Sequence, residues 1–258
     1  MADQGPFYHV AQVSPAASAI SLQLDTIRSE LHGLPWFDWP EEALYGSSTD
    51  WKVFPLAYTF PADGSVPTRW LDKPCAAMPK TSALLRGIPG IRTALISRLG
   101  PGSELEPHQG WAALANHVIR CHFVLDCPIG WASEEAAAYP VLHAGALNVQ
   151  ATQTPQCPAA SPTPCGLVVE DQAWFMATGD SFGFDDSLRH YAYNRSSAVR
   201  YVLIVDVARP AHLPAGVATG DETVELREFM EDFERIADGA LQHMSDERSR
   251  GSSDDSSC

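Results

Sequence analysis

The chain has 258 residues, enough for one large domain or two small ones, and 45% of them are hydrophobic, enough for a real core. Its formal net charge of −15 excludes a surface built to neutralise nucleic-acid phosphates. There is no basic, apolar leader and no unbroken apolar run long enough to span a bilayer, so neither a secretory signal nor a membrane segment is expected and the protein reads as cytoplasmic.

Ile20, Leu24, Ile27 and Leu31 recur at helical spacing over residues 18–32, with Gly33 as a stop, which predicts an N-terminal helix. An aromatic stretch follows, from Trp36 to Phe60. Within it, residues 51–60 read as a strand with a bend or bulge marked by Pro55, and its aromatics as core. Residues 61–74 read as loop, and residues 79–88 as a short helix with Pro79 at its start and a glycine near its end. From Ile91 onward the pattern becomes that of strands: 91–99, 117–125, a hairpin over 166–176 turning near Glu170, then 181–184, 190–193 and 200–207.

Residues 126–165, rich in Pro, Thr, Ala and Gln, read as a long insert loop. Residues 221–258 carry 12 acids and 4 arginines, hence −8 of the charge. Their first part, 221–244, predicts an amphipathic helix packed on the body through Leu226, Phe229, Phe233, Ile236, Ala240 and Leu241, with dimerisation as the second reading; residues 245–258 predict a disordered tail. The six cysteines form no CxxC pair and read as free thiols, a Cys157–Cys165 bridge across a loop being the alternative. Closely spaced short strands with polar turns predict a mainly β antiparallel sandwich or barrel over residues 1–220.

Two histidines lie on distant strand-like segments, His108 in Glu106-Pro107-His108-Gln109-Gly110 and His190 in the 185–210 stretch. Arg200 opens an apolar β-branched run ten residues after His190. Imidazoles suit iron(II), and a guanidinium offers a planar fork to a carboxylate.

Taken in order, Pro79-Lys80-Thr81, Ile88-Pro89-Gly90, Ser97, Pro107-His108, Gly110, Trp174, Phe184-Asp185-Asp186-Ser187, His190, Asn194, Arg200 and Asp206-Val207 resemble the aspartyl/asparaginyl β-hydroxylase family over roughly residues 34–210. The resemblance implies a double-stranded β-helix (a cupin-like jelly roll) with flanking helices. It also implies iron(II), 2-oxoglutarate and dioxygen as cofactor and co-substrates, and hydroxylation of an unactivated carbon with release of succinate and carbon dioxide. By the same resemblance His108 and His190 hold iron. Arg200 with Ser97 takes the far carboxylate of 2-oxoglutarate, and Arg120 with His122 meets its metal-bound end. Arg120 and His122 lie three residues further from His108 than the pattern expects, which implies an insertion between Trp111 and Ala115.

Asp185 and Asp186 are candidates to orient His190 from outside the metal's own ligands. Gly110 stands where many related oxygenases place a third, carboxylate ligand; the resembled family also has glycine there, so water is expected in that position. Val118 stands where a substrate-gripping arginine is expected, and Arg69 or Lys73 could replace it. The implied substrate is an aspartyl or asparaginyl side chain in a peptide, or a small amino-acid-like molecule. Halogenation at the same metal and a non-catalytic cupin-like binding module are the alternatives. The oligomeric state is left open.

Overall fold

The computed structural model describes residues 5–44, 50–132, 150–151, 163–232, 235, 239 and 241. Its strands are β1 (Phe7–Tyr8), β2 (Phe37–Asp38), β3 (Trp51–Tyr58), β4 (Arg69–Trp70), β5 (Ile91–Leu99), β6 (Ser103–Glu104), β7 (Val118–Asp126), β8 (Gln150–Ala151), β9 (Cys165–Val169), β10 (Gln172–Phe175), β11 (Ser181–Phe184), β12 (His190–Asn194) and β13 (Arg200–Ala208). They form two sheets. The larger runs β1-β11-β7-β13-β5-β3-β2 with β4 paired to β3, and the smaller runs β6-β12-β9-β10-β8. Pairing is antiparallel throughout except between β8 and β10. The chain is therefore mainly β, a jelly roll with helices packed outside it.

Strand β13 explains the layering. Its residues alternate between faces, as a pleat requires. Leu203, Val205 and Val207 join the core beneath the outer helices with Ile20, Ile27 and Leu85. Val202 and Ile204 join a second core between the sheets, with Leu95 and Phe182 from one sheet and Leu167 and Val169 from the other. Arg200 and Asp206 occupy the same inner row as Val202 and Ile204, so the inner face receives charge as well as packing.

Most predicted strands are present within a residue or two. The bulge expected near Pro55 lies between Pro55 and Ala57, where β3 changes register against β5. The hairpin turns at Glu170, whose φ of 52° is left-handed. Two expectations need correction. The helix expected over 18–32 is two pieces, a 3₁₀ helix Ala17–Leu22 and an α-helix Leu24–Ser29, broken at Gln23; Ile20, Leu24 and Ile27 still face the core. The 61–74 loop contains β4 and the start of a helix, Asp72–Ala77, because Arg69 and Trp70 pair with the end of β3. Where an insertion is expected after Trp111, the chain makes one helical turn, Ala112–Ala115.

Most of the 126–165 insert, including Cys157, lies outside the described residues, as do the 245–258 tail and Phe233, Ile236 and Ala240 of the terminal stripe. Residues 224–232 are helical. Cys75, Cys121, Cys127 and Cys165 are free thiols. Among the described residues no helix is long and apolar enough to cross a membrane.

Candidate active site

His108 and His190 come together through the backbone. Each donates its N–H to the other's carbonyl, at 2.9 and 2.8 Å. Directly opposed residues of an antiparallel pair carry their side chains on one face, and the two ring centroids are 4.4 Å apart. Each Nδ1 faces a nearby carbonyl, Glu106 O at 2.7 Å for His108 and Leu188 O at 2.8 Å for His190. A proton held at Nδ1 leaves the Nε2 lone pairs free, the form a metal needs. Burial lowers the pKa of His190 to about 4 and, with the nearby His190 ring adding to it, that of His108 to about 3, so both rings are neutral near pH 7. Two neutral imidazoles presented side by side fit iron(II). Among the described residues no group of three His, Cys, Asp or Glu side chains is arranged to hold a metal.

Asp186 fills the space that Gly110 leaves. A Cβ built on Gly110 would fall 2.0 Å from Asp186 Oδ2. Asp186 is fully buried; its Oδ1 lies 3.4 Å from His190 Nε2, and its Oδ2 has no partner. The position expected to hold only water is therefore faced by a carboxylate that arrives from the β11–β12 turn.

A second cluster lies along the inner face. Arg200 is 2% exposed; its Nη1 reaches only the Met176 sulfur at 3.6 Å, and its Nε has no partner. No carboxylate pairs with it among the described residues, and burial lowers its pKa. Ser97 lies opposite Val202 on β5, on the same face as Arg200. Its Oγ accepts from Trp51 Nε1 at 3.2 Å, which leaves the hydroxyl proton available to a ligand. His122, opposite Ile204 on β7, has both ring nitrogens buried and unpartnered between Phe182 and Phe184. Burial, reinforced by Arg200, holds its pKa well below the ordinary value. Buried polar atoms are normally satisfied. Such atoms gathered near a lone guanidinium fit a bound dicarboxylate, which brings acceptors and countercharge together.

The remaining expected residues fall elsewhere. Arg120, expected at the metal-bound end of the co-substrate, is occupied by protein. Its Nε and Nη2 donate to the two oxygens of Asp206 at 2.8 and 3.0 Å, and its Nη1 donates to Asp186 at 2.6 Å. The cause is register, since Asp206 stands directly across β13 from Arg120. Asp185 does not touch His190. Its carboxylate takes the Arg209 fork at 2.8 and 2.6 Å and accepts from the Ser187 backbone at 3.0 Å, which fixes the turn before His190. Val118 is buried against Leu114 and Ala62. Arg69 and Lys73 are exposed, Arg69 lying over the Tyr58 ring at 5.8 Å.

Two cavities meet beside the histidines. One is lined by His108, Gly110, Asp186, Trp51 and Ile204. The other is lined by Tyr58, Phe60, Leu114, Leu226, Phe229 and Met230 and encloses about 610 Å³ including its open mouth. They share Trp39, Leu95, Trp111 and Arg120; Arg69 and Lys73 line neither. Four of the aromatics that composition assigned to the core, Trp39, Trp51, Tyr58 and Phe60, line these cavities, while Phe54 is fully buried in the core as expected. The sequence reading missed Glu41, whose carboxylate joins Trp39, Trp111 and Thr223, and Asp206 as the partner of Arg120. No local spacing signals either, because the contacts join segments far apart in the chain.

The structure is a jelly roll in which two opposed imidazoles on the smaller sheet and a lone buried guanidinium on the larger one face the same inter-sheet space. The family model for aspartyl/asparaginyl β-hydroxylase matches residues 21–210, and the chain belongs to that family. A curated relative, an ornithine lipid ester-linked acyl 2-hydroxylase from Rhizobium tropici, is 27% identical over 215 residues; the match covers 83% of this chain and 62% of the relative's length. Among solved structures, a 2OG-Fe(II) oxygenase family oxidoreductase from Burkholderia pseudomallei gives a TM-score of 0.48 at 13% identity, covering 79% of this chain and 91% of that one. A Trichoplax adhaerens prolyl hydroxylase bound to a hypoxia-inducible-factor peptide gives 0.39 at 10% identity, covering 80% and 85%. Likenesses this distant add nothing to the assignment, which rests on the family match.

Proposed function

We propose that this enzyme hydroxylates an unactivated carbon within an apolar, chain-like part of its substrate. The observation that carries this reading is the second cavity. Its walls are aromatic and aliphatic, and its one charged lining residue, Arg120, already serves two carboxylates. A substrate carboxylate or side-chain amide entering there would leave its water partners and find few replacements, whereas an alkyl segment gains from burial. The acyl group in the curated relative's name supports the same choice over an aspartyl or asparaginyl side chain.

When bound, iron(II) supplies oxygen activation at the expense of 2-oxoglutarate. The residues of this chain do the rest. His108 and His190 hold the metal. Arg200, with the Ser97 hydroxyl, takes the far carboxylate of 2-oxoglutarate, and His122 lies along the same bound molecule. Arg120 neutralises Asp186 and Asp206 beside the metal face, so that two buried carboxylates do not repel the incoming anion. Asp186 orients His190 and fills the space beside Gly110. That side chain also argues against halogenation, since it occupies the room that Gly110 would otherwise leave for a chloride.

The test is His190→Ala. The wild type should bind iron(II) and release succinate from 2-oxoglutarate. The variant should lose both, with succinate formation down at least about a hundredfold. A variant that keeps near-normal turnover, or a wild type that forms no succinate, would overturn the reading; the latter leaves the binding-module alternative.

A further inference from the structure

Glu41 is a buried carboxylate, 6% exposed, and no ion pair joins it to a cation among the described residues. Burial pushes its pKa up, opposed by three neutral donors. Trp39 Nε1 donates to Oε2 at 3.1 Å. Trp111 Nε1 and Thr223 Oγ1 both donate to Oε1, at 3.1 and 2.8 Å. The donors come from the three segments that enclose the cavities: the aromatic stretch, the loop three residues past His108, and the start of the helix over 224–232. Thr223 also caps that helix by accepting from the Leu226 N–H at 3.2 Å. Trp39 and Trp111, nearly parallel at 11° with centroids 6.0 Å apart, line both cavities, and Phe229 of the helix packs on Trp39 at 6.4 Å.

From this geometry we infer that Glu41 is the positioning residue that sets substrate specificity, holding both indoles and the overlying helix so that an apolar chain presents one carbon to the metal face. The inference rests on the function proposed above. A carboxylate suits the place because it accepts from all three donors and presents none of its own. A glutamine would turn an amide N–H₂ toward an indole N–H or the threonine hydroxyl. A mere cross-link between segments would not need to draw two of its three donors from the very rings that line both cavities.

The experiment uses Glu41→Gln and, because a buried substitution can unfold the chain, Thr223→Val, which keeps the side chain's shape but removes one donor to Glu41 together with the oxygen that accepts from Leu226 N–H. Dodecanoyl and hexadecanoyl amides serve as probes. Their binding to metal-free protein is followed by indole fluorescence, and hydroxylated product per succinate is measured with iron(II). Glu41→Gln should weaken probe binding about tenfold, scatter hydroxylation over neighbouring carbons and lower product per succinate, while the Michaelis constant for 2-oxoglutarate moves less than twofold. Thr223→Val should shift the same readouts in the same direction by less. If the wild type binds and hydroxylates a probe but neither folded variant changes affinity, position of hydroxylation or coupling, the role of Glu41 is wrong and the proposed function stands. If the wild type binds neither probe, the apolar-chain reading falls and the role of Glu41 falls with it.

Discussion

Arg120 and Arg200 lie on neighbouring strands, face the same inter-sheet space, and end in opposite electrical situations. Arg120 is held by two fully buried carboxylates, Asp186 and Asp206. Arg200, more deeply buried still, meets a thioether and leaves Nε unpartnered. A buried charge without a counterion is costly to maintain, so the second arrangement makes sense only if the counterion arrives as a ligand. The comparison teaches how to sort buried arginines in a site: the paired one is part of the frame, and the unpaired one is where the proposed co-substrate anion would find its counterion.

The largest test of this contrast removes the paired charge. Arg120→Met leaves Asp186 and Asp206 buried without their cation. It should destabilise the metal-free protein by about 3–5 kcal/mol, a fall in Tm of roughly 6–20 °C at about 2–4 °C per kcal/mol. A thermal melt decides it, and a variant melting within a degree or two of the wild type would break the comparison at its structural end.

Arg200→Met should behave in the reverse manner. Removing an unsatisfied buried charge leaves the metal-free protein as stable as before or more so. Binding of 2-oxoglutarate loses a charged hydrogen-bonded partner worth about 1.5–3 kcal/mol, which raises its KM roughly 10- to 150-fold. Melting and co-substrate titration on the same preparation separate the effects. A variant that melts early with an unchanged KM would move Arg200 into the frame beside Arg120.

How much of this contrast the sequence carried depends on where each partner sits. The strands were legible because period-2 alternation is local, and His108, His190, Arg200 and Ser97 stood out as candidates because their order along the chain matches a family. The partner of Arg120 was not, since Asp206 meets it only through the register of β7 against β13. The role of Asp186 at Gly110 was hidden for the same reason: the missing side chain and the group that fills its space come from different segments. Aromatic composition located Trp39 and Trp51 in an apolar environment but could not say that this environment has a cavity in it.

The histidines give a third, smaller contrast, because they are neutral where the arginines are charged. Burial lowers the folded-state pKa of His190 from 6.5 to about 4. As pH falls below 6.5 the unfolded chain takes up the proton first, so stability present at pH 7 is lost toward pH 4. For His190 alone the loss between pH 7 and 5 is about 2 kcal/mol. His108 and His122, also shifted downward, act in the same sense. Melting of metal-free protein should therefore fall by several degrees over that interval, and His190→Gln should flatten the profile. A melt independent of pH between 7 and 5 would mean that the imidazoles are already solvated or charged.

The smallest expected effect is at Ser97, and it asks whether Arg200 works alone. The Ser97 oxygen accepts from Trp51 Nε1 and its proton is left for the ligand. Ser97→Ala removes one neutral donor from the co-substrate, about 0.5–1.5 kcal/mol, or a two- to tenfold rise in the KM for 2-oxoglutarate. The value by itself is ambiguous, because the substitution also leaves the buried indole N–H without its acceptor. The double variant with Arg200→Met resolves it. If serine and arginine grip the same carboxylate, that carboxylate is no longer held once Arg200 is gone, and Ser97→Ala should then change KM by less than twofold. If the two effects multiply independently, Ser97 serves the Trp51 wall and Arg200 binds the anion without it.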